Sequence, residues 1–541
     1  MASRASGRIA GAGMAAALVA LVLVTGCSKS GGSGGGAARR GVGQAVSPGH
    51  VSDVRLTPDG QTAVFLVDGQ KPRLDGIPPM MLLGRLRAVR VDGSADRELG
   101  GGVTNVPGGF VLSRDSAWVA FLASYQPANQ TGTLMVADLR DPKGTPVRVA
   151  DGVSYAVLSP NSKWLAYVAG GVLRAGPTGE GPYAEVAGEV ALADFAPSSA
   201  FLVARRKGAA GGALLKVDVG QWQSPKKLAD QVGDFAVSPD SARIALGARS
   251  PRVPAAYDLH VASAPQFTPA KVADSVGAFA FSADSQYLAR IQGQPPGPDQ
   301  VGDLYVGPAD GSGGHLVAAR AHEFTFAPDS RGIGYIAAYR TQSQAGTLGV
   351  APLPEGKPRD LGDLVPNFVW SGDGKAVAYL ERFLRPIFSV DLMLYRLGDP
   401  APVKVQQGVY GYAFTPDGKR LLYRTACIRD GRACDLFSRD LDAPYRTDDA
   451  GMLESRGKKM AEGVYGYFKA AEKAPRALVT FARIDSPLYD VGVVNLETGQ
   501  YKTLEERVLL TPAFANGEGT RVVYAVAERA HPGVYVADKV P

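Results

Sequence analysis

The sequence predicts an all-β chain in which one antiparallel four-stranded unit recurs about eleven times. One observation is a hairpin signature: an apolar strand, a Ser-Pro-Asp-Ser/Gly turn, and a second apolar strand. It reads most cleanly as Phe235-Ala-Val-Ser-Pro-Asp-Ser-Ala-Arg-Ile-Ala-Leu246. Another is spacing. The turn aspartates Asp240, Asp284, Asp329, Asp373 and Asp417 lie 44, 45, 44 and 44 residues apart, and a period of that length marks a stacked array of one supersecondary unit. The third is the lack of any long segment with helical periodicity. The strands also lack clean apolar/polar alternation and carry small residues at Ala236, Ala245, Ala280 and Ala289, as sheets covered on both faces require. Four short strands per repeat fit the blade of a β-propeller.

Within a unit each element has a physical reason. The first strand carries aromatic and branched residues such as Phe235 and Val237. Proline then presets the backbone angle at the second turn position, and the aspartate bonds to nearby backbone. The second strand follows, as Ile244-Ala-Leu246 or Val377-Ala-Tyr379. The third carries a series such as Asp258-Leu-His-Val261, Asp303-Leu-Tyr-Val306 or Asp391-Leu-Met-Leu394, and a weaker fourth closes the unit, as Ala401-Pro-Val-Lys-Val405. Weaker copies of the hairpin lie upstream at 54–60, 111–116, 157–162 and 195–199. Degenerate ones lie downstream at 467–481 and 514–524. The chain ends on a strand, Gly533-Val-Tyr-Val536, and Gly43-Gln-Ala-Val-Ser47 is placed to supply its missing neighbour and close a ring.

Propellers typically hold four to eight blades, so about eleven units are expected to form two rings, with one large ring as the alternative. The turn-rich stretch Gly293-Gln-Pro-Pro-Gly-Pro-Asp299 suggests a division near residue 300, giving propeller repeats at 43–300 and 301–541.

The front of the chain reads as a targeting segment. Arg4 and Arg8 precede an apolar core from Ala15 to Val24, too short for a comfortable membrane span. It ends in Leu23-Val-Thr-Gly-Cys27, which resembles the lipobox of bacterial lipoproteins. That resemblance implies removal of residues 1–26 and lipidation of Cys27, and several acyl chains give firm anchoring. Residues 27–42 then form a flexible Gly/Ser tether. Ser28 after the cysteine favours the outer membrane, facing the periplasm or the cell surface.

Net charge is +6 over 541 residues, and the basic residues are dispersed. A nucleic-acid partner is therefore not expected. Besides Cys27 there are two cysteines, Cys427 and Cys434. A two-residue turn at Asp430-Gly431 would set them opposite each other on paired strands, within reach of a disulfide, and export permits one.

The search for chemistry is sparse. His50, His260, His315, His322 and His531 are scattered, without metal-ligand spacing. No Gly-x-Ser-x-Gly elbow follows the tether, so the appended hydrolase of some exported propellers is not expected. Asp92-Gly-Ser-Ala-Asp96 and Asp310-Gly-Ser312 lack the ligand run of a calcium loop. Hence no cofactor, metal or catalytic residue is assigned, and no enzyme activity is expected. Two insertions stand out, the apolar Ile77-Pro-Pro-Met-Met-Leu-Leu83, read as a buried strand or a docking edge, and the charged stretch 446–459.

The Phe-Ser-Pro-Asp-Gly-x-x-Ile-Ala-Phe style of hairpin is similar to the WD-repeat-like motif of the TolB family, over nearly all of residues 50–540. The TolB family also carries an N-terminal α/β domain, which a lipobox and tether replace here. The resemblance implies a propeller lipoprotein held at the membrane through Cys27. It is expected to act as a non-enzymatic scaffold for an envelope protein or peptide. A glycan- or small-molecule-binding propeller and a lyase or hydrolase propeller are the alternatives.

Overall fold

Each hairpin signature folds as the first half of an antiparallel meander. The computed structural model describes residues 42–72, 74, 78, 80–209, 211–253, 256–293, 301–381, 390–428, 433–443, 457–482, 489–508, 513–526, 531–538 and 540. Among these residues the chain is all β and contains no helix. Phe110–Leu112 pairs with Trp118–Gln126, which pairs with Thr131–Asp138, which pairs with the first half of Val147–Leu158. The second half of Val147–Leu158 opens the next meander by pairing with Trp164–Ala169. Val153 is the changeover, partnering Gly132 on one side and Ala169 on the other. Lys226–Val237, His315–Phe326 and Lys458–Ala470 are shared between meanders in the same way.

This sharing corrects the picture of uniform four-stranded sheets. Where the fourth strand of one meander runs on into the first of the next, hydrogen bonding fuses them. The described sheets therefore have four, seven or eleven strands, and none closes on itself. The N-terminal strand Gln44–Pro48 pairs antiparallel with Gly533–Ala537, Ala45 opposite Tyr535. The beginning of the chain thus completes its last meander, as the sequence anticipates.

The turns show why Ser-Pro-Asp recurs. Ser238 Oγ donates to Asp240 Oδ1 at 2.5 Å and accepts from the Arg243 amide at 2.9 Å, while Asp240 Oδ1 accepts from the Ala242 amide at 2.9 Å. Thr57–Asp59, Ser113–Asp115, Ser282–Asp284, Ser371–Asp373 and Thr415–Asp417 repeat the hydroxyl-to-carboxylate bond at 2.6–2.7 Å. These hydroxyls are buried, so the network satisfies polar groups that would otherwise be costly. The aspartate that opens the third strand has its own task. Asp258, 2% exposed, accepts from Lys271 Nζ at 2.7 Å and from the Ser275 amide at 3.3 Å, and so holds the irregular fourth strand.

The core is divided among clusters, each drawn from two consecutive meanders. One joins Val64, Leu66 and Leu86 to Phe110, Val119 and Phe121. The next joins Ala120, Leu122 and Leu134 to Leu165 and Tyr167. The pattern continues along the chain. A last cluster joins Ala63, Phe65, Val67 and Val89 to Ala515, Val523, Val534 and Val536, packing the first meander on the final one.

The expected division near residue 300 is not followed. Residues 294–300 lie outside the described residues, but the strands on either side, Tyr287–Gln292 and Gly302–Pro308, pair with each other in one sheet. The clusters run on across this point, from Ala245, Leu288 and Ala309 to Ala289, Ile291 and Ile333. A Pro/Gly-rich stretch joins paired strands as readily as it separates two bodies. The apolar insertion at 77–83 also departs from expectation. Ile77 and Pro79 lie outside the described residues. Met81 is a buried anchor packed with Ala120 and Leu122, and Met80 is 56% exposed. A strand, Leu83–Arg90, begins only at its end.

Candidate functional site

An antiparallel meander has two unlike ends. The first-to-second and third-to-fourth turns lie at one, the turn end. The second-to-third loop and the crossing to the next meander lie at the other, the loop end.

The turn end is closed by bonds between neighbouring meanders. The Asp59 amide donates to Ser116 Oγ at 3.0 Å, and the Asp115 amide to Ser162 Oγ at 3.1 Å. The same bond links Asn161 to Ser199, Ser198 to Ser241, Asp240 to Ser285 and Asp284 to Ser330, at 2.9–3.1 Å. Each accepting serine stands just after its own turn aspartate or equivalent, with φ between 61° and 64°. This latch was not read from the sequence. Its signal was the choice of Ser or Gly after the turn residue.

Exposed large apolar side chains lie at both ends among the described residues, with Val42, Leu316 and Tyr501 at the turn end and the other five at the loop end. Leu74, Met80 and Val253 lie in second-to-third loops, Tyr410 in a crossing between meanders and Ile428 at the loop end of the strand Arg420–Ile428, and each is at least 38% exposed. The chain enters at the opposite end: the Val42 amide donates to Leu504 O near the start of Tyr501–Val508, and Gln44–Pro48 rises from there.

First strands are bridged from the preceding meander. Arg55 Nη1 donates to Phe110 O at 2.9 Å with its guanidinium over the Phe110 ring, Tyr155 Oη donates to Ala193 O at 3.0 Å, and Arg205 donates to Gly233 O. Two of these strands carry carboxylates. Asp194 is half-buried, and desolvation pushes its carboxyl above the usual range despite the Phe195 amide at 2.8 Å and nearby Arg114. Asp234 is reached by water but crowded by chain, and the same cause raises it against the Phe235 amide and Arg205.

Among the described residues no three His, Cys, Asp or Glu side chains are grouped to hold a metal. His260 lies on the strand Tyr257–Ser263 with Nδ1 3.2 Å from Asp258 O, and His322 stacks on Tyr339 with centroids 3.9 Å apart. Cys27, with the rest of residues 1–41, lies outside the described residues, as do the Asp430-Gly431 turn and residues 444–456. Cys427 and Cys434 are joined by a disulfide with Cα atoms 3.9 Å apart, in the register set by Ile428 opposite Ala433. The buried guanidinium of Arg424 lies beside it, a neighbour the sequence did not announce.

No protein-family model and no curated protein matches the chain. Among solved structures it is similar to a eukaryotic initiation factor, at 14% identity over 72% of this chain and 96% of that one, TM-score 0.41. It is also similar to dipeptidyl peptidase 4 of Porphyromonas gingivalis, at 10% identity over 83% and 65%, TM-score 0.41. A third is the Cps50 (Swd1) β-propeller domain of Myceliophteria thermophila, at 14% identity over 55% and 96%, TM-score 0.29. These are remote likenesses to diverse proteins and bear on no particular function.

Proposed function

We propose that this chain is a TolB-like β-propeller lipoprotein, one ring of eleven blades, that acts by binding an envelope protein or peptide rather than by catalysis. Support for a single ring comes from the core. Eleven clusters each join consecutive meanders, and the last returns from Val534 and Val536 to Phe65. The N-terminal strand Gln44–Pro48 would then complete the eleventh blade.

The binding role rests on the contrast between the two ends. The turn end is tied by serine latches, and Val42, the first described residue, bonds there to Leu504. The loop end collects exposed Leu74, Met80, Val253, Tyr410 and Ile428. Five of the eight exposed large apolar side chains among the described residues lie at this end, against Val42, Leu316 and Tyr501 at the other, and exposed apolar side chains favour contact with another macromolecule. A lipid on Cys27 would hold the turn end toward the membrane, since a Gly/Ser tether of this length reaches roughly 20 Å. The loop end would face away, toward a partner.

A photo-crosslinker placed at Met80 or Val253 should capture a defined envelope protein, and one placed at turn-end Lys375 should not. Crosslinks from Lys375 alone, or soluble sugar binding with no protein adduct, would overturn the scaffold reading. Separately, Cys27→Ala should release the protein from membranes, and unchanged retention would remove the anchor.

A further inference from the structure

The Cys427–Cys434 disulfide is chemically lopsided. Cys434 is fully buried, whereas Cys427 is partly exposed, between exposed Ala426 and Ile428, the latter 60% exposed. Arg424 lies on the same strand and is 7% exposed. Its Nη1 donates to Tyr465 O at 2.9 Å and stands 3.8 Å from Cys434 Sγ, and its Nη2 reaches Tyr410 O at 3.4 Å. Its Nε has no partner, and among the described residues no carboxylate pairs with it. Burial pulls its pKa down from the usual guanidinium value. A buried cation held only by neutral acceptors is costly, and such groups ordinarily have an anion beside them. Two groups able to become one lie beside it, the Tyr465 phenol and the sulfur of Cys434, and of these the thiol is by far the stronger acid.

We propose that Cys427–Cys434 is a thiol-exchange site, with Cys427 as the attacked sulfur and Cys434 as the leaving thiolate, received by Arg424. The substrate class is an external dithiol, on a protein or a small molecule. One of its thiolates attacks Cys427 Sγ. The Cys427–Cys434 bond breaks, a mixed disulfide forms on Cys427, and the electron pair leaves on Cys434 as a thiolate beside Arg424. The second thiolate of the dithiol then attacks its own bound sulfur. That step releases Cys427, which takes a proton, and leaves the dithiol oxidised by two electrons. A cation next to a leaving sulfur lowers its thiol pKa and speeds departure, and stabilising the reduced form makes the pair easier to reduce. Arg424 is a positioning and charge-stabilising residue in this scheme.

The test uses the full chain carrying Cys27→Ala, so that two cysteines remain. In graded dithiothreitol redox buffers, with thiols alkylated and mapped by mass, Arg424→Met should need at least about tenfold more reducing conditions to reach half reduction. Arg424→Lys, which keeps a cation, should lie between that variant and the parent. With Cys427→Ser added, the 240 nm thiolate absorbance of Cys434 should titrate below the ordinary thiol value of about 8.5. Arg424→Met should return it to that value or above. In the two-cysteine chain treated with reduced glutathione and quenched with acid, the mixed disulfide should map to Cys427 and not to Cys434. A Cys434 titration at or above about 8.5 with Arg424 intact would overturn the proposal, and this reading does not depend on the Met variant folding. So would equal half-reduction points across the series. None of these outcomes depends on whether the loop end binds an envelope protein.

Discussion

From Asp59 to Ser330 the turns hold one another through serine, whereas at Gly374, at Gly418 and at the closing seam by Gly60 they meet through glycine. The backbone problem is the same in both regions: φ is 61–64° at the serines and 68–74° at the glycines. The solutions differ. A serine in this left-handed region carries roughly 1–2 kcal/mol of strain. It offsets this by accepting the amide of the preceding turn, a bond worth about 0.5–1.5 kcal/mol that also spares that amide from going unmet. Glycine makes no bond but lets the neighbouring turn move in. A Cβ on Gly374 would lie 2.4 Å from Asp329 Oδ1, and one on Gly60 only 1.5 Å from Ala515 O. The serine turns are joined by a hydrogen bond, and the glycine turns are joined by close contact.

The contact side of this comparison breaks most sharply at Gly60. Gly60→Ala adds left-handed strain of about 1–2 kcal/mol and an overlap with backbone that cannot rotate away, of about 1–3 kcal/mol. Its urea midpoint should fall by the largest amount of any turn substitution, and limited proteolysis should cut first near Ala515. A midpoint equal to the parent's would mean that the first and last meanders do not press together at this turn.

The hydrogen-bonded side is probed by paired substitutions at Ser285. Ser285→Ala keeps the strained backbone and leaves the Asp240 amide without its acceptor, a loss of roughly 1–3 kcal/mol. Ser285→Gly loses the same bond but relieves the strain, so it should be less destabilised by about 1 kcal/mol. Equal losses for Ala and Gly would show that strain has no part at the serine turns. Equality of Ser285→Ala with the parent would show that the latch contributes nothing.

Much of this was legible beforehand, because the repeat is written in local chemistry. A Ser-Pro-Asp turn between two apolar strands predicts a hairpin, and five aspartates at 44–45-residue spacing predict an array. The pairing of Gln44–Pro48 with the last strand was readable because a terminal hairpin lacked a neighbour. Relations between repeats were not readable. Nothing near Ser285 in sequence points to Asp240, which is 45 residues away. The sharing of Val147–Leu158 between two meanders was hidden because a long strand and a strand-turn-strand have the same composition. The division placed near residue 300 failed for a related reason: proline and glycine report a local bend and carry no information about which bodies lie on either side. At the disulfide, the facing of Cys427 and Cys434 follows from hairpin register. The unpaired charge beside it comes from Arg424, and its burial depends on Tyr410, at the entry to its own meander, and on Tyr465, brought in by the next one.

The smallest expected effect contrasts turn carboxylates with those on first strands, and pH separates them. At the serine turns, burial works against the charge of Asp240, but bonds from Ser238, the Ala242 amide and Ser285, together with nearby Arg243, outweigh it and hold its carboxyl below the usual range. A carboxyl depressed in the folded state adds stability above its unfolded pKa, and this is lost as pH falls through the folded value. Asp194 has the opposite sign. Desolvation raises it, so its ionised form costs stability at neutral pH, and that cost disappears as pH falls toward the unfolded value. Asparagine is tolerated at such a turn, since Asn161 already accepts from Ser159 Oγ at 2.7 Å and from the Lys163 amide at 3.1 Å. Asp240→Asn should therefore lower the urea midpoint at pH 7, by about 1 kcal/mol or less, because it replaces a charged acceptor with a neutral one. Asp194→Asn should raise it. Both differences should shrink toward zero at pH 3, where the carboxyls take up protons. Shifts of the same sign at pH 7 would show that the first-strand carboxylates are as well solvated as those at the turns.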